Sequence, residues 1–355
     1  MPTGKRIFSG AALAIAMAGA AFAEDLPEIS ITAVGVNQHS LASTENEQPF
    51  WNEVIPEASG GNVSVTFAPM DIMGIKGDQV MSMTQLGVVD FGASDISKMA
   101  GQNPLFEGCD LAGLALDIET ARAACEAWLP VMSAAAEEQF NIKLLALGAN
   151  PPQVIWCNDP LEGLADLAGR KVRVFNKTMT DFVEAAGATA VSIAYAEVVP
   201  ALQRGVVDCA VTGSGSGNTA GWWEVATHQF QVYLGWAINF QSVNLDRWNS
   251  FTPETQAFFT GQFDQLSDDL WTVAAMSVND ADYCNFGTGE CKLGKVANPP
   301  MVNVPVSDAD RAQHAEIMQN VVLLEWARRA GRDNAEKWNE TVGNVVGLEI
   351  PLDQM

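Results

Sequence analysis

One hexapeptide is written almost twice in this chain, as Gln85-Leu86-Gly87-Val88-Val89-Asp90 and as Gln203-Arg204-Gly205-Val206-Val207-Asp208. Each copy closes a stretch with helical spacing and supplies the glycine that best takes a left-handed C-cap. Each then runs through two valines into an apolar segment. A chain that solves the same helix-to-strand junction in two distant places is expected to fold as two paired α/β lobes. The length of 355 residues agrees, since a domain takes roughly 100–200.

The elements around each copy support that reading. Strand-like runs at 29–36, 62–67 and 88–93 alternate with helical spacing at 44–58 and 78–86, the order of a layered α/β unit. Segments 119–128 and 131–140 read as helices broken by Pro130, followed by a strand at 142–147. Asn150-Pro151-Pro152 then punctuates the chain. Beyond it, strands are expected at 153–157, 171–175 and 206–212, with helices at 181–186 and 195–203 between them. Thr252 and Pro253 have N-cap and N1 chemistry. From there an apolar stripe through Phe259, Phe263, Leu266, Leu270, Ala274 and Val278 runs to Cys284, about 45 Å of helix able to brace two lobes. The remainder is mostly helical. The expected organisation is a leader over 1–23, first-lobe residues 24–149 and second-lobe residues 150–231. A return to the first lobe follows over 232–252, then the bracing helix over 253–284 and completion of the second lobe over 285–355.

The leader is expected because Lys5 and Arg6 precede the apolar run 11–21, and Ala21-Phe22-Ala23 forms an A-x-A cleavage site before Glu24. Export to a periplasm follows, and with Glu24 rather than Cys after that site no lipid is expected there. A formal charge of −24 repels phosphate backbones, so nucleic acid is not an expected partner. Six cysteines in an exported chain read as disulfides. Cys284 and Cys291 flank a glycine-bearing turn, and Cys109 and Cys125 lie before and within one helical stretch. By elimination Cys157 joins Cys209 if their strands run side by side; otherwise both are buried thiols. Three histidines make neither a zinc cluster nor a metalloprotease motif, so no metal and no cofactor are expected.

Gly215, Gly217 and Ala220 satisfy the spelling G-x-G-x-x-A, but the acidic residue a dinucleotide site needs is misplaced, Glu224 too early and Asp246 late. A flexible turn at a cleft rim is the expected structure there. In Lys171-Val172-Arg173-Val174-Phe175, alternation sets Arg173 opposite two valines, near the end of a strand where ligands sit in α/β sheets. A guanidinium there can grip a carboxylate with two parallel hydrogen bonds. A surface arginine or a structural ion pair is the alternative reading. Extending the register of the repeat matches Ser94 with Thr212, one strand end from each lobe.

The run from Leu167-Ala168-Gly169-Arg170-Lys171-Val172-Arg173-Val174 through Glu184-Ala185-Ala186-Gly187-Ala188 to Glu197-Val198-Val199-Pro200-Ala201-Leu202-Gln203-Arg204-Gly205-Val206-Val207-Asp208 resembles the central signature of DctP-like solute-binding proteins. These serve the tripartite ATP-independent periplasmic (TRAP) transporters. The resemblance implies two lobes joined by crossing segments and a long helix, closing over a ligand at a hinge. It implies that Arg173 is the family's carboxylate-binding arginine, that the small and large membrane subunits are the partners, and that the protein is a monomer and not an enzyme. A periplasmic sensor on the same fold, and an exported oxidoreductase using Gly215 and Gly217, are the alternatives.

This chain also departs from the family's pattern. It has Cys209 and Thr212 where glycine and asparagine are common, and Asn150-Pro151-Pro152 where a second arginine is frequent. One strong carboxylate partner is therefore expected. Gln38, Asn150 and Asn176, at strand ends and crossings, complete the candidate polar set. Trp51, Trp156, Trp222, Trp223 and above all Trp236 are candidate walls, which suits an apolar or aromatic monocarboxylate; core packing is the alternative for each.

Overall fold

Both copies of the hexapeptide end a helix and enter a sheet through the same set of bonds. The helix Gly77–Gln85 stops at Gly87 with φ +68°, and the helix Val198–Gln203 stops at Gly205 with φ +67°. That left-handed turn favours glycine because it carries no Cβ. Val88 N–H then bonds back to Met83 at 2.9 Å, and Val206 N–H to Ala201 at 2.9 Å. Asp90 closes the first junction by accepting Thr32 N–H at 2.8 Å, and Asp208 closes the second by accepting Lys171 N–H at 2.8 Å. Each aspartate therefore clasps the backbone of the neighbouring parallel strand.

That clasp shifts the strands from their expected starts. They begin three residues later, at Phe91 and Cys209, because the aspartate turn comes first. Only one valine of each pair enters the core: Val89 and Val207 are buried, while Val88 is 62% and Val206 49% exposed.

The computed structural model describes residues 26–355, and the leader expected over 1–23 lies outside the described residues. In chain order the strands are β1 (Ile29–Gly35), β2 (Val63–Pro69), β3 (Phe91–Asp95), β4 (Ile142–Gly148), β5 (Gln153–Cys157), β6 (Lys171–Val174), β7 (Thr189–Ser192), β8 (Cys209–Gly213), β9 (His228–Phe230), β10 (Asn239–Asn244) and β11 (Val302–Val304). They form two sheets, ordered β2-β1-β3-β10-β4 and β11-β9-β5-β8-β6-β7. Strand β10 runs antiparallel between β3 and β4, and β5 runs antiparallel to β8 and β9. Two α/β lobes result, each carrying one copy of the repeat.

The lobes are joined where β4 passes into β5 and where β9 passes into β10. The two crossings are bonded to each other: Asn150 N–H to Trp236, Gln153 N–H to Gly235, and Leu234 N–H to Gln153. A third connection is the 34-residue helix Pro253–Phe286, about 50 Å long. Phe259, Phe263, Leu266 and Leu270 place its first half in the core of the first lobe. Further along, Asn285 Nδ2 donates to Ser214 O in the second lobe.

The helix Ile118–Phe140 runs unbroken through Pro130, contrary to the sequence expectation. Pro130 lies on its exposed side, where water can serve the carbonyl that loses its partner. The glycine-rich segment expected as a flexible turn is instead the short helix Ser214–Thr219. Its glycines permit close packing: a Cβ on Gly217 would stand 2.5 Å from the Trp156 ring, and one on Gly215 3.1 Å from Pro151.

All three cysteine pairs stand at bonding distance, as Cys109–Cys125, Cys157–Cys209 and Cys284–Cys291. The second joins directly opposed residues of β5 and β8. Among the described residues no helix is long and apolar enough to cross a membrane.

The clasp predicts a measurable stability effect. Asp208→Ala removes the acceptor for Lys171 N–H and should cost about 1–2 kcal/mol in urea unfolding. Unchanged stability would show that the clasp contributes nothing. Non-reducing peptide mapping should recover the Cys157–Cys209 link, and two free thiols there would contradict this packing.

Candidate functional site

Strand β6 presents Arg173 to the interior, where it is 3% exposed. Its Nε donates to Ile193 O at 2.9 Å and its Nη1 to Val211 O at 2.7 Å. Both acceptors are backbone carbonyls, so the guanidinium is oriented without being neutralised. Its carbon stands 5.3 Å from the Phe175 ring centre and 5.9 Å from that of Trp222, an arrangement that stabilises a cation by the ring quadrupoles. Burial pushes its pKa down to about 10, against a small opposing influence of Tyr195. It remains charged at neutral pH.

No carboxylate among the described residues pairs with this cation. A guanidinium has five N–H donors, and the two bonds above leave three. Burying an unpaired charge is costly, so the arrangement favours capture of an anion. The sequence alternative of a surface arginine or structural ion pair does not hold here.

The wall around Arg173 is aromatic and closely packed. Tyr195 donates its hydroxyl to Ser216 O at 2.7 Å and packs 5.6 Å from Trp222. Trp222 in turn meets Trp156 edge-on at 6.0 Å. Thr212, at the end of β8, is 4% exposed and follows the carbonyl that holds Arg173. Its counterpart Ser94, at the end of β3, is 1% exposed, and its hydroxyl is buried without a partner among the described residues.

Sequence reasoning did not single out Lys98 or Phe175. Lys98 sits in the short helix Ser97–Ala100 of the first lobe, with its ammonium 5.8 Å from the Phe175 ring centre of the second. The signal was a lone basic residue four positions after Ser94, which has no meaning until the segment after β3 is brought to Phe175 after β6.

The remaining candidates are placed as follows. Asn176 caps the helix Lys177–Ala185 by accepting Met179 N–H at 2.8 Å. Asn150 donates to Ala237 O at 2.7 Å, tying the two crossings together. Gln38 donates its backbone N–H to Asp71 and lies in the loop after β1. Trp236 is buried, and its indole N–H donates to Ala115 O at 3.1 Å. Trp51 lies in the first-lobe core among Phe50, Phe67, Phe91 and Phe263. Trp223 is half-buried and donates to Asn218 O.

The sequence pattern of the bacterial extracellular solute-binding proteins of family 7, the DctP family, matches residues 36–324. The chain belongs to that family. Its fold matches solved TRAP solute-binding proteins. An extracytoplasmic solute receptor of Bordetella pertussis that binds pyroglutamic acid superposes with TM-score 0.77 at 20% identity, over 88% of this chain and 98% of the other. A solute-binding protein of Desulfovibrio salexigens with bound orotic acid gives 0.76 at 18%, over 89% and 99%. One from Shewanella oneidensis with bound succinate gives 0.73 at 19%, over 88% and 98%. An uncharacterised protein of Haemophilus influenzae is 23% identical over 228 residues, 64% of this chain and 69% of that one.

In this solute-binding protein the crossings are also locked by a buried acid. Asp110 accepts Trp236 N–H at 2.8 Å and Ile238 N–H at 3.3 Å, on either side of Ala237, whose φ is +44°. Burial raises Asp110 from 3.8 to about 8, against the lowering influence of those N–H groups. Burial likewise raises Glu47, bonded to Val36 N–H and Gln241, and Glu107, beside Arg329, from 4.5 to about 7.

These raised values have a definite sign. The folded protein keeps protons that the unfolded chain has released, so the stabilisation is complete below about pH 4 and is lost as pH rises through 7 to 8. Urea unfolding at pH 5, 6.5 and 8 should show stability falling, with each retained proton adding about 1.4 kcal/mol per pH unit to the slope. Asp110→Asn should flatten the profile between pH 6.5 and 8. An Asp110→Asn profile that falls between pH 6.5 and 8 as steeply as the wild type would contradict the raised value.

Proposed function

We propose that this protein is the periplasmic binding component of a TRAP importer, enclosing a small organic carboxylate between its lobes and passing it to the small and large membrane subunits. The observation that carries the reading is Arg173: a buried cation, oriented by two carbonyls and flanked by two rings, with donors left over and no carboxylate partner among the described residues. A ligand carboxylate supplies the missing charge. Proteins of this fold bind pyroglutamic acid, orotic acid and succinate, all of which carry a carboxylate.

The ligand's body lies against Phe175, the half-buried ring beside the guanidinium. This retains the apolar or aromatic character expected from the sequence, but on fewer walls, because Trp51, Trp156 and Trp222 are core and the indole nitrogen of Trp236 is committed to Ala115 O. Capture requires no bond making or breaking, and the protein acts as a carrier rather than an enzyme. Closure about the crossings near Asn150 and Trp236 commits the ligand.

Arg173→Ala should weaken binding by about two to three orders of magnitude in calorimetry, the cost of leaving a buried carboxylate unpaired. Arg173→Lys should restore only part of it, because the planar fork is lost. Native affinity in Arg173→Ala would remove the basis of this reading. Small-angle scattering should show a more compact particle at saturation, and an unchanged radius would argue against closure.

A further inference from the structure

The proposed carboxylate site has a second half on the opposite lobe. Lys98 is half-buried and makes no ion pair among the described residues, although the chain carries 43 acidic residues against 19 Lys and Arg. The nearest acid in sequence, Asp95, turns its Oδ1 to Ser97 N–H instead. Lys98 Nζ and the Arg173 guanidinium approach the same Phe175 ring, at 5.8 and 5.3 Å, so the two charges lie within about 11 Å of each other. Two unpaired cations this close repel, and an anion between them reverses the sign of the local field.

Ser94 adds an independent observation, because its hydroxyl is buried with no partner among the described residues, and an unsatisfied buried hydroxyl is costly. Gly77 links Ser94 with Lys98. A Cβ at Gly77 would stand 2.3 Å from Ser94 Oγ and 3.0 Å from Lys98 Cγ, so both side chains pack directly against this glycine, which no larger residue could replace without displacing them. Backbone freedom is not what Gly77 supplies here. It begins the helix Gly77–Gln85, a position alanine takes readily, and its missing side chain is what matters.

We propose that Lys98 Nζ and Ser94 Oγ form a second subsite on the first lobe that holds a second anionic group of the ligand, with Gly77 giving them room. The inference rests on the carboxylate reading of Arg173 and deepens it. Arg173 secures the first carboxylate from the second lobe, and Lys98 secures the second group from the first. A ligand bridging the two cations then ties the lobes together, so the preference for a dianion is expressed in the closed form. The expectation of a single carboxylate rested on finding no second arginine near Asn150. Lys98, reaching in from the other lobe, meets the same electrostatic need as a point charge.

The test is calorimetry with chain-matched pairs: succinate and butanoate, glutarate and pentanoate, adipate and hexanoate. The wild type should bind at least one dicarboxylate tenfold or more tightly than its monocarboxylate partner. Lys98→Met should lower that dicarboxylate affinity by roughly ten- to a hundredfold, the loss of a charge-assisted contact, and leave the monocarboxylate within about threefold. Gly77→Ala, with circular dichroism confirming the fold, should act in the same direction by crowding Ser94 and Lys98. Equal affinities within every pair, or an unaltered preference in Lys98→Met, would overturn the second subsite while leaving the Arg173 reading intact. A wild type that binds pyroglutamate or orotate but no dicarboxylate of the panel would overturn the second subsite alone, and one that binds none of these acids would overturn both.

Discussion

A guanidinium held out of water without a counter-ion must be fixed by neutral groups, and much of this structure supplies them. Carbonyls of Ile193 and Val211 orient Arg173, and the rings of Phe175 and Trp222 cover it. Each support is itself secured. Val211 lies in β8, which is bonded to β5 along its whole length and joined to it by Cys157–Cys209. Trp222 is packed between Tyr195 and Trp156, and Trp156 is pressed by the glycine helix Ser214–Thr219. Such a cation gains most when an anion replaces the lost water, because the surrounding dipoles need little rearrangement. In the proposed role, orienting the arginine in advance makes its free energy available to a ligand carboxylate rather than to a fixed partner within the protein.

The same logic governs the connection between the lobes. Two lobes that move must be joined by few segments, and those segments must not slide. Here the two strand crossings hydrogen-bond to one another, and Asn150 and Asp110 hold the second crossing by its backbone. Ala237 sits between those anchors in a left-handed conformation that costs a non-glycine residue about 1 kcal/mol or more. The bonds around it keep it there. The long helix adds a third connection, rooted by its phenylalanines in one lobe and by Asn285 in the other. In the proposed closure, these bonds confine motion to a few torsions at the crossings.

What could be read in advance follows from the range of the interactions concerned. The repeated hexapeptide announced two lobes because a helix stop, a glycine C-cap and a strand entry are decided within a few residues. Its strand starts were misjudged by three residues because Asp90 and Asp208 spend their carboxylates on Thr32 and Lys171, which are remote in sequence. Pro130 was read as a break because proline disfavours helix interiors, yet the local pattern does not reveal which side of the helix faces water. Arg173 stood out through alternation on a short strand. That no carboxylate among the described residues pairs with it could not be read locally, since it depends on where distant acidic residues come to lie.

By itself the sequence determined the two-lobe plan, the bracing helix and Arg173 at a strand end, and it narrowed the cysteine pairing to a scheme that β5 and β8 then had to satisfy. These depend on periodicity, capping chemistry and residue type, all local properties. Only the tertiary structure decided which tryptophans are core, that the glycine run is a packed helix, that Lys98 and Arg173 approach the same Phe175 ring, and that Ser94 and Lys98 pack on Gly77. An indole or a lysine is compatible with many surroundings, and its role is assigned by neighbours that the chain brings in from far away.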